Sequence, residues 1–150
     1  MFFYPASGTT YKNHKLIVET LLKFHEKKID NFVVVFTLKG NENKHIKRLY
    51  NIVRKHNLPV TFIGQITMEE VFNYYSKSIL IFPSYIETFG LPMFEAKMHG
   101  SPVLASDCSF SHEILDDYNK VMYFDPFDYE DLFEKMKAIL GAHCNSKDEY

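Results

Sequence analysis

Short runs dense in β-branched and aromatic residues alternate with amphipathic stretches along almost the whole chain, and no other feature constrains the fold as much. The runs "MFFYPA", "NFVVVFTL", "VTFIG", "SILIFPS", "SPVLAS" and "VMYFDP" are apolar continuously, not at every second position. A strand with one wet face alternates, whereas a strand covered on both faces has no need to; parallel sheets enclosed by helices are built from the second kind. Between the runs, Ile17, Thr20, Leu21 and Phe24 follow i, i+3, i+4, i+7, and Ile46, Leu49, Tyr50 and Val53 repeat the pattern. Each group therefore lies on one helical face. Thr67 stands three residues before Glu70 in "TMEEVFNYYSKS", the spacing of a capping box. Further helices are expected over "LPMFEAKMHG", near "SHEILDD" and over "YEDLFEKMKAIL". Gly100 ends the first of these, because glycine takes a positive φ without steric cost. The pattern predicts an α/β chain with a doubly wound parallel sheet of about six strands and helices on both faces. It occupies residues 1–141 as one domain, and the polar tail 142–150 is expected to fray.

With 150 residues, 46% of them hydrophobic, the chain can bury the core that such a sheet needs. Its 17 basic and 19 acidic residues nearly cancel. That balance argues against the broad positive surface that nucleic acid or an anionic membrane demands. The longest apolar runs fall far short of the ~20 residues of a membrane-spanning helix, and no signal peptide opens the chain, so a soluble protein is expected, and its cysteines suit the cytoplasm. Cys108 and Cys144 lie far apart and match no metal or redox spacing, which suits reduced thiols. "MFFYPA" reads as a strand from the first residue, without a polar lead-in, which suggests a chain that is part of a larger protein.

The stretch "FPSYIETFGLPMFEAKMHG", residues 82–100, carries the chemistry. It follows a strand and opens a helix, the place where doubly wound sheets bind ligands. Pro92 fits the first helical turn, where its missing N–H costs nothing. Glu87 then lies in the loop and Glu95 in the helix. Gly90 permits close backbone approach, and free amides of the first turn, near Leu91 and Met93, can receive a phosphate. Carboxylates repel phosphate but accept hydrogen bonds from sugar hydroxyls, in bidentate fashion from a diol. Two glutamates flanking a phosphate-binding turn thus point to a ligand with hydroxyls at both ends and phosphate in the middle, a nucleotide sugar. From spacing alone the alternative stays open that Glu87 is a loop residue and Glu95 a solvated or capping one.

The wider string "FPSYIETFGLPMFEAKMHGSPVLAS" resembles the signature of glycosyltransferase family 4, retaining enzymes of the GT-B fold, written loosely as P-S-x-x-E-x-F-G-[LI]-x-x-x-E-A-x-x-x-G-x-P-V. The match falls at Pro83, Ser84, Glu87, Phe89, Gly90, Leu91, Glu95, Ala96, Gly100, Pro102 and Val103. "VTFIGQITMEEVFNYYSKSILIFPS" and "SHEILDDYNKVMYFDPFDYEDLFEKM" are similar to flanking pieces of the same family, so the resemblance covers nearly the whole chain. It implies the Rossmann-like C-terminal, donor-binding half of such an enzyme, with the acceptor-binding N-terminal half outside the chain. It further implies a UDP- or GDP-sugar donor, a glycan or lipid-linked acceptor, no metal, a role in surface polysaccharide synthesis, and peripheral membrane association through the other half. In residue terms, Glu95 would hold the ribose hydroxyls and Glu87 would face the transferred sugar near its reacting centre. The turn Thr88, Phe89, Gly90 and Leu91 would bind sugar hydroxyls and the diphosphate. Lys12, in "YKNHKLI", would neutralise the departing diphosphate; a cation there is stabilising in proportion to the charge that develops.

One departure stands out. Many members of that family carry an arginine shortly before the lysine, and here "YPASGTT" has no basic residue. Two other functions therefore remain in view, a non-catalytic nucleotide-binding or interaction module and a nucleotide-sugar epimerase of the same architecture. Elsewhere the residues read plainly. His14, His99 and His112 are expected as exposed histidines, the first in an opening helical turn, and Glu113 as a helix-start acid favourable to the dipole.

Overall fold

Six strands pair in parallel throughout, in the order β3-β2-β1-β4-β5-β6. The computed structural model describes residues 1–147, with side chains through residue 142. The strands are β1 Phe2–Tyr4, β2 Val34–Phe36, β3 Val60–Phe62, β4 Ile79–Phe82, β5 Val103–Ser106 and β6 Val121–Phe124. The helices are α1 His14–Glu26, α2 Lys44–His56, α3 Met68–Tyr75, α4 Leu91–Met98, α5 Ser109–Leu115 and α6 Tyr129–Lys147. β1 is central, with Phe3 opposite Val35 on one side and Leu80 on the other. Continuous apolar runs are what such central strands require, and β1, β2, β4 and β5 are buried at every residue. β3, at one edge, is only half covered. Helices α1, α2 and α6 pack together, as do α3, α4 and α5, so the sheet lies between two helical layers, the expected doubly wound arrangement.

Local signals are met where local chemistry governs. Thr67 and Glu70 form the reciprocal capping box of α3, Pro92 lies in the first turn of α4, and Gly100 takes φ 70°. Helix α6 runs on to Lys147, past the boundary expected at residue 141; residues 148–150 of the polar tail and the side chain of Cys144 lie outside the described residues. Helix α5 begins at Ser109, two residues before the expected "SHEILDD", because Cys108 is extended and serves as its N-cap. Glu113 consequently falls late in α5 and not at its start.

His14 is also placed differently from expectation. It is 1% exposed, with its ring 4.8 Å from that of Tyr4 and 4.9 Å from that of Phe36. Asn13, at φ 68°, turns the chain so that the first side chain of α1 points inward. Burial, with His45 next in importance, lowers the His14 pKa to about 3, and neither ring nitrogen has a protein partner. The unfolded chain therefore binds a proton below pH 6.5 that the folded chain refuses. Stability contributed by neutral His14 is complete above that pH and falls as pH drops toward 3, by up to about 1.4 kcal/mol per pH unit. Urea midpoints measured from pH 7 to 4.5 should decline less steeply in His14→Phe than in the parent; parallel curves would show that His14 accepts a proton in the fold.

Candidate active site

The strand order reverses between β1 and β4, so the loops leaving their carboxyl ends diverge and open a crevice. The loop after β1 ends in a 3-10 turn, Thr10–Lys12, and the loop after β4 is the glutamate-containing turn of residues 83–90. They meet. The Lys12 Nζ donates to the Glu87 carboxylate across 75 residues of sequence, and both side chains are mostly covered, 20% and 12% exposed. Lys12 also lies 5.6 Å from the centre of the Tyr11 ring.

Asn13 fixes this meeting, and no motif pointed to it. Its buried amide donates to the carbonyls of Pro83, 2.9 Å away, and Pro126, 2.8 Å away. One side chain thereby ties the loops that follow β1, β4 and β6. Asparagine tolerates the left-handed conformation better than most residues, which suits this position next to Lys12. Around it, the Tyr4 hydroxyl donates to the Lys12 carbonyl at 2.7 Å, the Ser84 hydroxyl contacts the Tyr11 carbonyl at 3.2 Å, and the Tyr85 amide donates to that same carbonyl. The Ser106 hydroxyl on β5 secures the Ser84 carbonyl at 2.6 Å. Burial first, and then the Glu87 charge, push the Tyr4 phenol well above its ordinary pKa, so it remains a donor.

The turn itself is held open at its amides. Gly90 is buried at φ 59°, a backbone conformation that side chains rarely adopt, so the turn favours glycine. Among the described residues, the amides of Thr88, Phe89, Gly90 and Leu91 donate to no protein acceptor. The Met93 amide is not free as expected: it donates to the Gly90 carbonyl at 3.0 Å, because the positive φ of Gly90 tightens the first turn. The available donors thus end at Leu91, in the loop and at the first position of α4.

Glu95, one turn into α4, is half-buried and takes a different partner. The Tyr75 hydroxyl on α3 donates to its Oε2 at 2.9 Å, and among the described residues no cation pairs with it. Glu87 and Glu95 are therefore chemically unlike, one neutralised by an ammonium and one held by a phenol.

A groove of about 770 Å³ opens at the carboxyl ends of β1 to β3, a size suited to a nucleoside or larger ligand. Residues 5–9 form one wall, which is the stretch without a basic residue. Lys39, Asn43, Gln65, Ile66 and Val71 contribute to the others. Asn43 joins two walls, donating to the Gly8 carbonyl at 2.9 Å while its Oδ1 caps α2 through the Ile46 amide. Burial raises the Glu42 carboxyl, but the amides it accepts from, led by Lys39 and Gly40, together hold it below its usual range. No motif announced this groove, because it is assembled from three loops that are distant in sequence.

The comparisons with known proteins agree with one another. The family described as "Glycosyl transferases group 1" matches residues 1–148. The chain is 36% identical over 81 residues to the O-antigen chain mannosyltransferase RfbU of Salmonella typhimurium, a match that covers 53% of this chain and 22% of that protein. Its structure superposes on a glycosyltransferase from Rickettsia africae with TM-score 0.80 at 20% identity, over 93% of this chain and 37% of the other. It superposes likewise on the C-terminal domain of the glycosyl transferase group 1 family protein LpcC from Francisella tularensis, with TM-score 0.77 at 20% identity, over 93% of this chain and 75% of that one. The matches to the curated relatives thus span less than a quarter of those proteins' own length.

Proposed function

The chain belongs to the group 1 glycosyl transferases, and on that footing we propose that it is the donor-binding half of a GT-B enzyme that transfers a hexose, with retention, from a UDP- or GDP-sugar. The acceptor is a glycan or lipid-linked glycan in surface polysaccharide synthesis, worked on at the cytoplasmic face of the membrane, and the acceptor-binding half lies outside these residues. The relative named as an O-antigen chain mannosyltransferase supports that setting. The observation that carries the reading is the Lys12–Glu87 pair at the switch point, beside a run of amides with no acceptor among the described residues.

The chemistry follows from those groups. A lysine ammonium has three donors, so Lys12 can keep its bond to Glu87 and give another to a phosphate oxygen. The amides of Thr88 to Leu91, aided by the dipole of α4, take the remaining phosphate or sugar oxygens. As the bond from the sugar's C1 to the diphosphate breaks, its electron pair goes to the phosphate oxygen, and a fixed cation there lowers the barrier. The acceptor oxygen bonds to C1 from the same face, and its proton passes to the departing phosphate. Glu87, beneath the sugar, holds Lys12 in position, and Glu95 accepts from the ribose diol. No metal is required in this scheme. The groove at β1 to β3 takes the base.

The test is a backbone-amide NMR titration of the isotopically labelled chain with UDP, GDP and ADP. Saturable shifts at Lys12, at Phe89 to Leu91 and at Glu95 are expected with one of the first two, naming the base. Shifts scattered over unrelated surfaces, or none with any nucleotide, would overturn the donor-site assignment and favour the interaction module.

A further inference from the structure

We propose that Tyr75 is a positioning residue that orients the Glu95 carboxylate toward the ribose diol and so sets how strongly the site selects a ribonucleotide. It rests on the assignment of Glu95 to the ribose, and it extends that assignment to a residue twenty positions away in sequence, on another helix.

A glutamate's terminal torsion is broad and roughly two-fold, so an exposed carboxylate must be ordered at the moment it binds a diol. Bidentate acceptance from two vicinal hydroxyls needs both oxygens in one defined plane. The Tyr75 hydroxyl, 2.9 Å from Oε2, supplies that order beforehand. It uses one of about four lone-pair positions on the carboxylate and leaves the others for the ligand. Its neutrality matters as much. A lysine in its place would bind the carboxylate tightly and compete with a hydroxyl, as Lys12 does at Glu87, whereas a phenol fixes the group and leaves its negative charge in place.

The donor is itself packed on several sides. Tyr75 is 1% exposed, its ring meets that of Phe3 edge-on at 5.8 Å, and the His99 ring covers it at 5.7 Å. The Ser101 hydroxyl donates to its carbonyl. His99 Nδ1 lies 2.8 Å from the Glu95 carbonyl; a carbonyl only accepts, so the proton sits on Nδ1, and the same ring that packs on Tyr75 also secures the backbone of Glu95. Val71, one turn before Tyr75 on α3, lines the large groove, so the helix that carries Tyr75 also contributes to that wall. Burial and the Glu95 charge keep the phenol protonated far beyond neutral pH. The oxygen of a buried tyrosine needs a partner, and among the described residues Glu95 is the one it has.

The experiment compares the affinities of UDP and GDP with those of their 2′,3′-dideoxy counterparts, by amide NMR titration of the parent chain, Tyr75→Phe and Glu95→Ala. The parent should prefer the ribonucleotide by tenfold or more. Glu95→Ala should reduce the preference to about one, and Tyr75→Phe should cut it at least threefold while leaving the dideoxy affinity unchanged. The phenylalanine keeps the ring and its packing, and amide shifts in β1 and β5 report that the fold persists. A parental preference retained in Tyr75→Phe, with Glu95→Ala losing it, overturns the role of Tyr75 alone. Equal losses for both ligands in Tyr75→Phe would show general damage and overturn it too. A preference that survives in Glu95→Ala overturns the ribose assignment beneath it.

Discussion

Replacing Lys12 with methionine in the complete enzyme should lower kcat by about two to three orders of magnitude, the loss typical of removing one preorganised group from a developing negative charge. Methionine keeps much of the side chain's length and packing, so the change isolates the ammonium. The effect should appear mainly in kcat and less in the KM of the donor, because the diphosphate's charge is greatest as the sugar–oxygen bond breaks. Lys12 has no second basic residue upstream to share the task, since residues 4–10, "YPASGTT", contain none. Single-turnover measurements at saturating donor would separate this step from product release. A loss below tenfold would mean that another group, such as Lys39 in the groove, carries the leaving-group charge. Arginine at this position should restore only part of the rate, because its planar fork does not reproduce a point donor held against one carboxylate.

The second large effect concerns the residue that places that lysine. Asn13→Ala should destabilise the domain by roughly 3–5 kcal/mol, because two buried carbonyls lose their donor and alanine tolerates a positive φ less well than asparagine does. Pro83 and Pro126 are the carbonyls left without the amide. Asn13→Gly separates the two causes: glycine accepts φ 68°, so only the hydrogen-bond part, about 2–3 kcal/mol, should be lost. Urea unfolding of the three proteins reads both numbers. Equal midpoints for parent and Asn13→Gly would show that the amide bonds contribute nothing net and that the loops are held by packing alone. A typical domain has about 5–15 kcal/mol in total, so the alanine variant should sit near its limit.

The architecture was legible because its determinants are local and periodic. Six apolar runs gave six strands, and the interleaved 3.6-residue patterns gave the helices. Capping at Thr67 and the left-handed Gly100 were also readable, since each depends on neighbours within a few residues. The expectation failed where a backbone conformation or a packing partner that the residue pattern does not specify decides the outcome. His14 is amphipathic in pattern and ordinary in composition; a positive φ at Asn13 and the rings of Tyr4 and Phe36 bury it. The Met93 amide is consumed because it donates to the Gly90 carbonyl three residues back.

The candidate site divides along the same line. The sequence by itself determined which residues are the candidates for the chemistry: a motif with two carboxylates, a glycine and a proline is a string of neighbours, and its character survives without tertiary information. Only the folded structure decided what each group faces. Lys12 meets Glu87 because the strand order turns at β1 and β4 and brings two distant loops to one crevice. Glu95 meets Tyr75 because α3 and α4 pack side by side, and the groove exists because three strand ends are adjacent. Periodicity in one chain specifies the faces of its own elements, whereas side-chain partnership depends on strand order and register, which are fixed by packing all elements at once.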